Sequence, residues 1–242
     1  MAEPLTVQTN ASAPPVKSRA TRRLLQTGLF YLYWIGALFL SAGRVEWIRG
    51  WISVGLSVTA MAIVGGLVHH YNAPLMEEGA KWRRKDTKPF DRQFLAFYMP
   101  IVFIHPVVAG LDAVRYHWSS MPFAFVYVGT ILFTLAMALI AWVMVINPFA
   151  ETSVRIQTDR GHTVVTSGPY RIVRHPMYLG AILMYTATSL VWGSLWALAL
   201  TAVMAGLMIW RTSREDQTLR QELAGYEEYA SRTRYRLLPG LW

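Results

Sequence analysis

Residues 166–183 read TSGPYRIVRHPMYLGAIL. Ser167-Gly168-Pro169 is a turn signal. Pro176 suits the first position of a helix, where its missing N–H leaves no bond unmade and its fixed φ is already helical. An unbroken apolar run follows. The stretch therefore predicts a loop that ends at His175 and a helix that enters an apolar medium one residue later. Whether that medium is a protein core or a bilayer decides the fold, and the rest of the chain answers.

Of the 242 residues, 54% are hydrophobic and only 15% charged, against about 25% charged in soluble domains. Apolar segments fall at roughly 24–43, 48–68, 94–112, 122–146, 177–192 and 194–210. A bilayer core needs about 20 such residues per helix. In lipid each must be helical, because only a helix satisfies its own backbone hydrogen bonds. The expected fold is an all-α integral membrane protein of about six transmembrane helices with a cytoplasmic C-terminal helical segment. The last two segments meet at Gly193 and are each marginal for a full crossing, so they are read as a tight hairpin. Three regions are expected: a disordered tail over 1–20, rich in small, polar and Pro residues; a four-helix membrane region over 21–146; and a functional core over 147–242. The first apolar run is too long for the h-region of a signal peptide and is read as a retained helix.

Charge sets the topology. With the N-terminus inside and six spans, all of the 23 lysines and arginines except Arg44, Arg49 and Arg115 fall on one side. The positive-inside rule then places both termini in the cytoplasm. A formal charge of +9 fits that bias and an attraction to anionic lipid. No nucleic-acid motif accompanies it. With no cysteine in the chain, disulfides, thiolate nucleophiles and Cys-ligated zinc are excluded. The histidines show no metal-ligand spacing, and neither a Gly-rich phosphate loop nor a nucleophile elbow is present.

Two polar blocks remain on the cytoplasmic side, 147–175 and 211–242. Residues 211–224 read as a helix stopped by Gly225. At the mouth of the fifth segment, the free N–H groups and partial positive charge of a helix N-terminus favour a carboxylate or phosphate, and Arg171 and Arg174 add to that field. Arginines and tyrosines there are also ordinary interfacial residues, which accounts less easily for His175 and Tyr178. Arg211 and Glu215 lie four apart on one helix face. They are either a surface pair worth a few tenths of a kcal/mol or a site, with the arginine gripping a carboxylate and the glutamate binding an amine or ribose hydroxyls. His105-Pro106 is read as a kink in the third segment.

The stretches RGHTVVTSGPYRIVRHPMYLG (160–180) and RTSREDQTLRQELAGYEEYASRTRYRLLP (211–239) resemble the isoprenylcysteine carboxyl methyltransferase family, within the wider group of membrane methyltransferases that includes phospholipid methyltransferases. They stand in the family's order, separated by its apolar hairpin. The resemblance implies S-adenosylmethionine as cofactor and methylation of a carboxylate at the membrane surface. Carried over residue by residue, it implies cofactor contacts at Gln157, His162, Thr163, Val164, Val165, Tyr170, His175, Pro176, Met177, Tyr178 and Glu215. It implies an acceptor-facing role for Arg211, and no metal. Expected partners are membrane lipid and an apolar or lipidated carboxylate substrate. Sterol reductases that use NADPH carry a similar GPY…RHPxY block, and methyl transfer to an amine or phospholipid head group is the other alternative.

Overall fold

The computed structural model describes residues 16–78 and 87–242. Among these, every regular element is helical: α1 Val16–Ala42, α2 Ile48–Tyr71, α3 Ala73–Glu78, α4 Pro89–Gly110, α5 Ala124–Ile146, α6 Pro176–Trp192, α7 Leu195–Glu222 and α8 Tyr226–Arg232. A π-helical turn, Leu111–Tyr116, extends α4, and short 3₁₀ turns sit at Thr158–Arg160 and Gly168–Arg171. The all-helical expectation holds, and the apolar segments correspond to the long helices.

Three details differ. Five helical stretches are long and apolar enough to cross a membrane: Leu25–Ala42, Ile48–Tyr71, Pro89–Tyr116, Ala124–Ile146 and Leu195–Glu222. The expected count was about six; α6, with 17 residues, is the short member of the hairpin. Next, the sixth segment and the helix read at 211–224 are one continuous helix of 28 residues, because no Gly or Pro falls between Gly206 and Gly225 to stop it. Last, α1 begins at Val16, inside the stretch read as a disordered tail; residues 1–15 lie outside the described residues.

The helices pack as a bundle in which α6 lies between α5 and α7, α4 lies between α1 and α7, and α2 covers α5. Small residues set the closest approaches, as is usual where lipid offers no hydrophobic drive between helices. A Cβ at Gly129 would stand 2.8 Å from the Ala187 carbonyl oxygen, so only glycine lets α5 come that close to α6. The α6–α7 turn is made by Gly193 in the left-handed region, φ +76°. Ser194 then caps α7, its hydroxyl accepting from the Ala197 N–H at 3.0 Å. These two residues turn the hairpin so that the start of α6 and the polar end of α7 lie at the same end of the bundle.

His105 is buried in the middle of α4. Its Nε2 lies 3.1 Å from Ser189 Oγ and 3.2 Å from both the Ala197 carbonyl and Thr201 Oγ1. This polar node joins α4 to both arms of the hairpin.

Candidate active site

The start of α6 is built by a backbone pairing that the local pattern does not announce. The Arg174 and His175 N–H groups donate to the carbonyls of Tyr235 and Arg236, both at 2.9 Å. The C-terminal tail therefore folds back along the loop that precedes α6. Asp216, fully buried on α7, gathers the pieces. It receives Arg174 Nε at 2.7 Å and Nη2 at 3.1 Å, the Tyr226 hydroxyl at 2.9 Å and Arg236 Nε at 3.1 Å. His175 Nε2 stands 3.4 Å from the same carboxylate. Arg174, weighed from sequence as an interfacial anchor, is thus a buried ion-pair residue, while Arg171 is exposed.

The loop 147–165 is stitched to this frame. The Asn147 side chain donates to the Tyr170 hydroxyl, and its Oδ1 accepts from the Phe149 N–H at 2.8 Å. The Gln157 side chain donates to the Phe149 carbonyl at 2.9 Å and accepts from Arg160 at 2.8 Å. Arg155 pairs with Glu151 and Asp159. The Tyr229 hydroxyl holds the Tyr170 carbonyl at 2.7 Å, which ties α8 to the 3₁₀ turn.

Between the loop, the start of α6 and the last turns of α7 lies one cavity of about 890 Å³, part of it open to solvent. Gln157, His162, Thr163, Val164, Val165 and Tyr170 line it from the loop; His175, Met177 and Tyr178 from α6; and Glu215 from α7. Pro176 is buried behind them and does not line it. The Tyr178 hydroxyl donates to Glu215, and the ring lies parallel to that of His175 with centroids 5.9 Å apart. Gln157 is only 2% exposed and both ends of its amide are already bonded within the loop. It reaches the cavity as a wall rather than as a free polar group.

Burial shapes the loop's titration. It lowers the pKa of His162, whose Nδ1 accepts from the Gln157 N–H at 3.3 Å. It raises the hydroxyl pKa of Tyr170 and pushes that of Tyr229 up to about 12. At neutral pH both tyrosines are uncharged hydrogen-bonding groups.

Residues 124–224 match the phospholipid methyltransferase family model. The matched span runs from α5 through α7 and contains every residue that lines the cavity except Tyr226 and Tyr229 of α8. It falls in the same group of membrane methyltransferases that the two polar blocks resemble. Over 87 residues the chain is also 34% identical to a Delta(14)-sterol reductase of Mus musculus, a match that covers 35% of this chain and 21% of that protein. The chain thus spans about a fifth of that relative's length.

Arg211 does not line the cavity; it stands one turn before Glu215 on α7, against the ring of Tyr178, which does. It is 6% exposed, and its guanidinium lies between two rings, 4.5 Å from the Phe94 centroid and 5.1 Å from that of Tyr178. Its Nη2 donates to the Thr152 carbonyl at 2.6 Å, and its Nε lies 2.8 Å from Oδ1 of Asp91. Asp91 was not singled out in the sequence. It stands in the first turn of α4, outside both polar blocks and outside the matched family span. Asp216, Tyr226 and Tyr229 were missed as well. The only sequence signal for Asp216 is its place beside Glu215; nothing in the sequence marks Asp91.

Proposed function

We propose that the chain is a membrane S-adenosylmethionine-dependent methyltransferase that O-methylates a carboxylate on an apolar or lipidated substrate. What supports this is the convergence on one cavity of Tyr178 and Glu215, from the two separate stretches that carry the resemblance, with the buried Arg211 against the Tyr178 ring. The cavity's chemistry fits the cofactor. The Glu215 carboxylate can accept from an ammonium or ribose hydroxyls, Val164, Leu219 and Leu223 offer an apolar wall, and the rings of Tyr170 and Tyr178 can face a cation. When bound, S-adenosylmethionine supplies an electrophilic methyl group.

The protein's own tasks are alignment and exclusion of water. A carboxylate acceptor is ionised at pH 7, so no general base is required of the chain. Arg211, clamped between Phe94 and Tyr178, would receive the acceptor. With both termini cytoplasmic, a polar cofactor would enter from the loop side, while an apolar substrate would arrive from the bilayer between the helices.

A second reading, NADPH-dependent reduction, draws on the identity with the sterol reductase. A third, methylation of an amine or phospholipid head group, draws on the family's description and would need a base to take the proton from nitrogen. Calorimetric titration of the detergent-solubilised protein with S-adenosylhomocysteine, with NADPH in parallel, separates the first two. Saturable binding of S-adenosylhomocysteine alone is the expected result; binding of NADPH alone sinks methyl transfer.

A further inference from the structure

Asp91 is 0% exposed, and burying a carboxylate is costly unless its oxygens are matched. Its Oδ2 is matched, accepting the Val154 N–H at 2.8 Å. Its Oδ1 faces Arg211 Nε at 2.8 Å, but off the line of the N–H, so that neither atom has a hydrogen-bond partner. Such a pair is a poor way to hold two helices together, since apolar residues of the same volume commonly do that as well or better.

Its geometry suits a different task. Asp91 lies against the Nε edge of the guanidinium, the Thr152 carbonyl takes Nη2, and the rings of Phe94 and Tyr178 flank it. Among the described residues Nη1 has neither a hydrogen-bond acceptor, as Nη2 has, nor a facing carboxylate, as Nε has. The same two side chains also grip the backbone on either side of Ser153, a residue that lines the cavity. One buried pair thus aims the arginine and fixes the loop beside it.

We propose that Asp91 is a positioning residue for methyl transfer: it orients Arg211 so that the Nη1 end is presented to the acceptor. This rests on the methyltransferase reading. It makes Asp91, in a part of the chain that carries no family motif, a determinant of acceptor use.

The test compares wild type with Asp91→Asn, which keeps an oxygen for the Val154 N–H but removes the charge facing Arg211. Two acceptor probes are offered to wild type, S-farnesyl N-acetylcysteine and vesicles of phosphatidylethanolamine; the variants are compared on the carboxylate probe, and methylation of phosphatidylethanolamine alone overturns the carboxylate acceptor and the role of Asp91 with it. Turnover is expected to fall at least about tenfold, while S-adenosylhomocysteine affinity stays within about threefold. Asp91→Glu, which restores the charge one methylene out of place, is expected to recover part of the turnover. An Asp91→Asn protein with normal turnover overturns the proposal, as does a loss of cofactor affinity as large as the loss of turnover. If Asp91→Asn does not accumulate, Asp91→Glu carries the test: reduced turnover with intact cofactor affinity supports the role, and unchanged turnover overturns it. A wild type that binds no S-adenosylhomocysteine, or methylates neither probe, overturns the methyltransferase reading and this role together.

Discussion

Asp91 and Asp112 are both fully buried carboxylates at the two ends of the same stretch of helix, Pro89–Tyr116, and they are satisfied in opposite ways. Asp112 accepts from the Ser119 N–H and hydroxyl, both at 2.7 Å, from the Ser194 hydroxyl at 2.5 Å and from the Trp196 N–H at 3.2 Å. Its donors are neutral, and two of them, from Ser194 and Trp196, sit at the start of α7, where a helix N-terminus favours a negative charge. Asp91 has a single neutral donor and faces a guanidinium. A carboxylate saturated by neutral donors locks a turn in place. One left partly unmatched against a cation keeps that cation aimed and available. The end of the bundle at Asp112 is therefore built for stability; on the proposed reading the end at Asp91 serves chemistry.

The sharpest way to break that contrast is to truncate Arg211. Arg211→Ala removes the group that would hold the acceptor and leaves the Tyr178–Glu215 bond on the cofactor side. Turnover should fall about 10²- to 10³-fold, the usual loss for an electrostatic contact made in the transition state, with S-adenosylhomocysteine affinity unchanged by calorimetry. Equal losses in both would erase the division between an acceptor side and a cofactor side. At the other end, Asp112→Ala strands the Ser119 and Trp196 donors, each at about 1–3 kcal/mol. The melting temperature in detergent should drop, while the folded fraction binds S-adenosylhomocysteine normally. A specific loss of cofactor affinity there would show that the two ends are coupled.

A smaller effect probes the helix contact that carries His175 into place. At Gly129 an added Cβ would stand 2.8 Å from the Ala187 carbonyl oxygen and 2.9 Å from the Val191 nitrogen, both backbone atoms. Gly129→Ala should therefore cost about 1–3 kcal/mol as α5 and α6 are forced apart. At Gly206, on α7, nothing lies within 4 Å, so Gly206→Ala should be neutral or gain up to about 1 kcal/mol from helix propensity. Thermal melts of the two variants, opposite in sign, check the packing.

What was legible in the sequence follows from range. The apolar segments and the helix start at Pro176 are local signals, and the long helices fall where periodicity and length put them. The two polar blocks were legible as a pair, and ten of the residues carried over from the resemblance share one cavity. What was not legible is non-local. Asp91 reads as an acidic residue in a helix's first turn, a placement that the helix dipole alone explains; its contact with Arg211 spans 120 positions and leaves no periodic trace. The return of the tail onto Arg174 and His175 is likewise backbone pairing, which no side-chain pattern records. The length of α7 was misjudged because hydropathy changes at Arg211, whereas helices end where caps and breakers say so.

The smallest expected effect is a pH dependence that separates the loop from the rest. Burial lowers the pKa of His162, and its Nδ1 accepts the Gln157 N–H, so the folded loop favours the neutral imidazole. An unfolded chain titrates this histidine near its ordinary value of about 6.5. The folded value is the lower of the two, so the unfolded state binds more protons in the window between them. His162 therefore contributes stability that is present above pH ~6.5 and lost as pH falls through the depressed folded value. Protonation also turns the Nδ1 acceptor into a donor facing the Gln157 N–H, which opposes the loop's own turn. Melting temperature measured downward from pH 7.5 should fall more steeply in wild type than in His162→Gln, which has no titrating ring. Parallel curves would mean that His162 is solvated in the working protein, and that the loop is held closed by Arg155 and its two carboxylate partners instead.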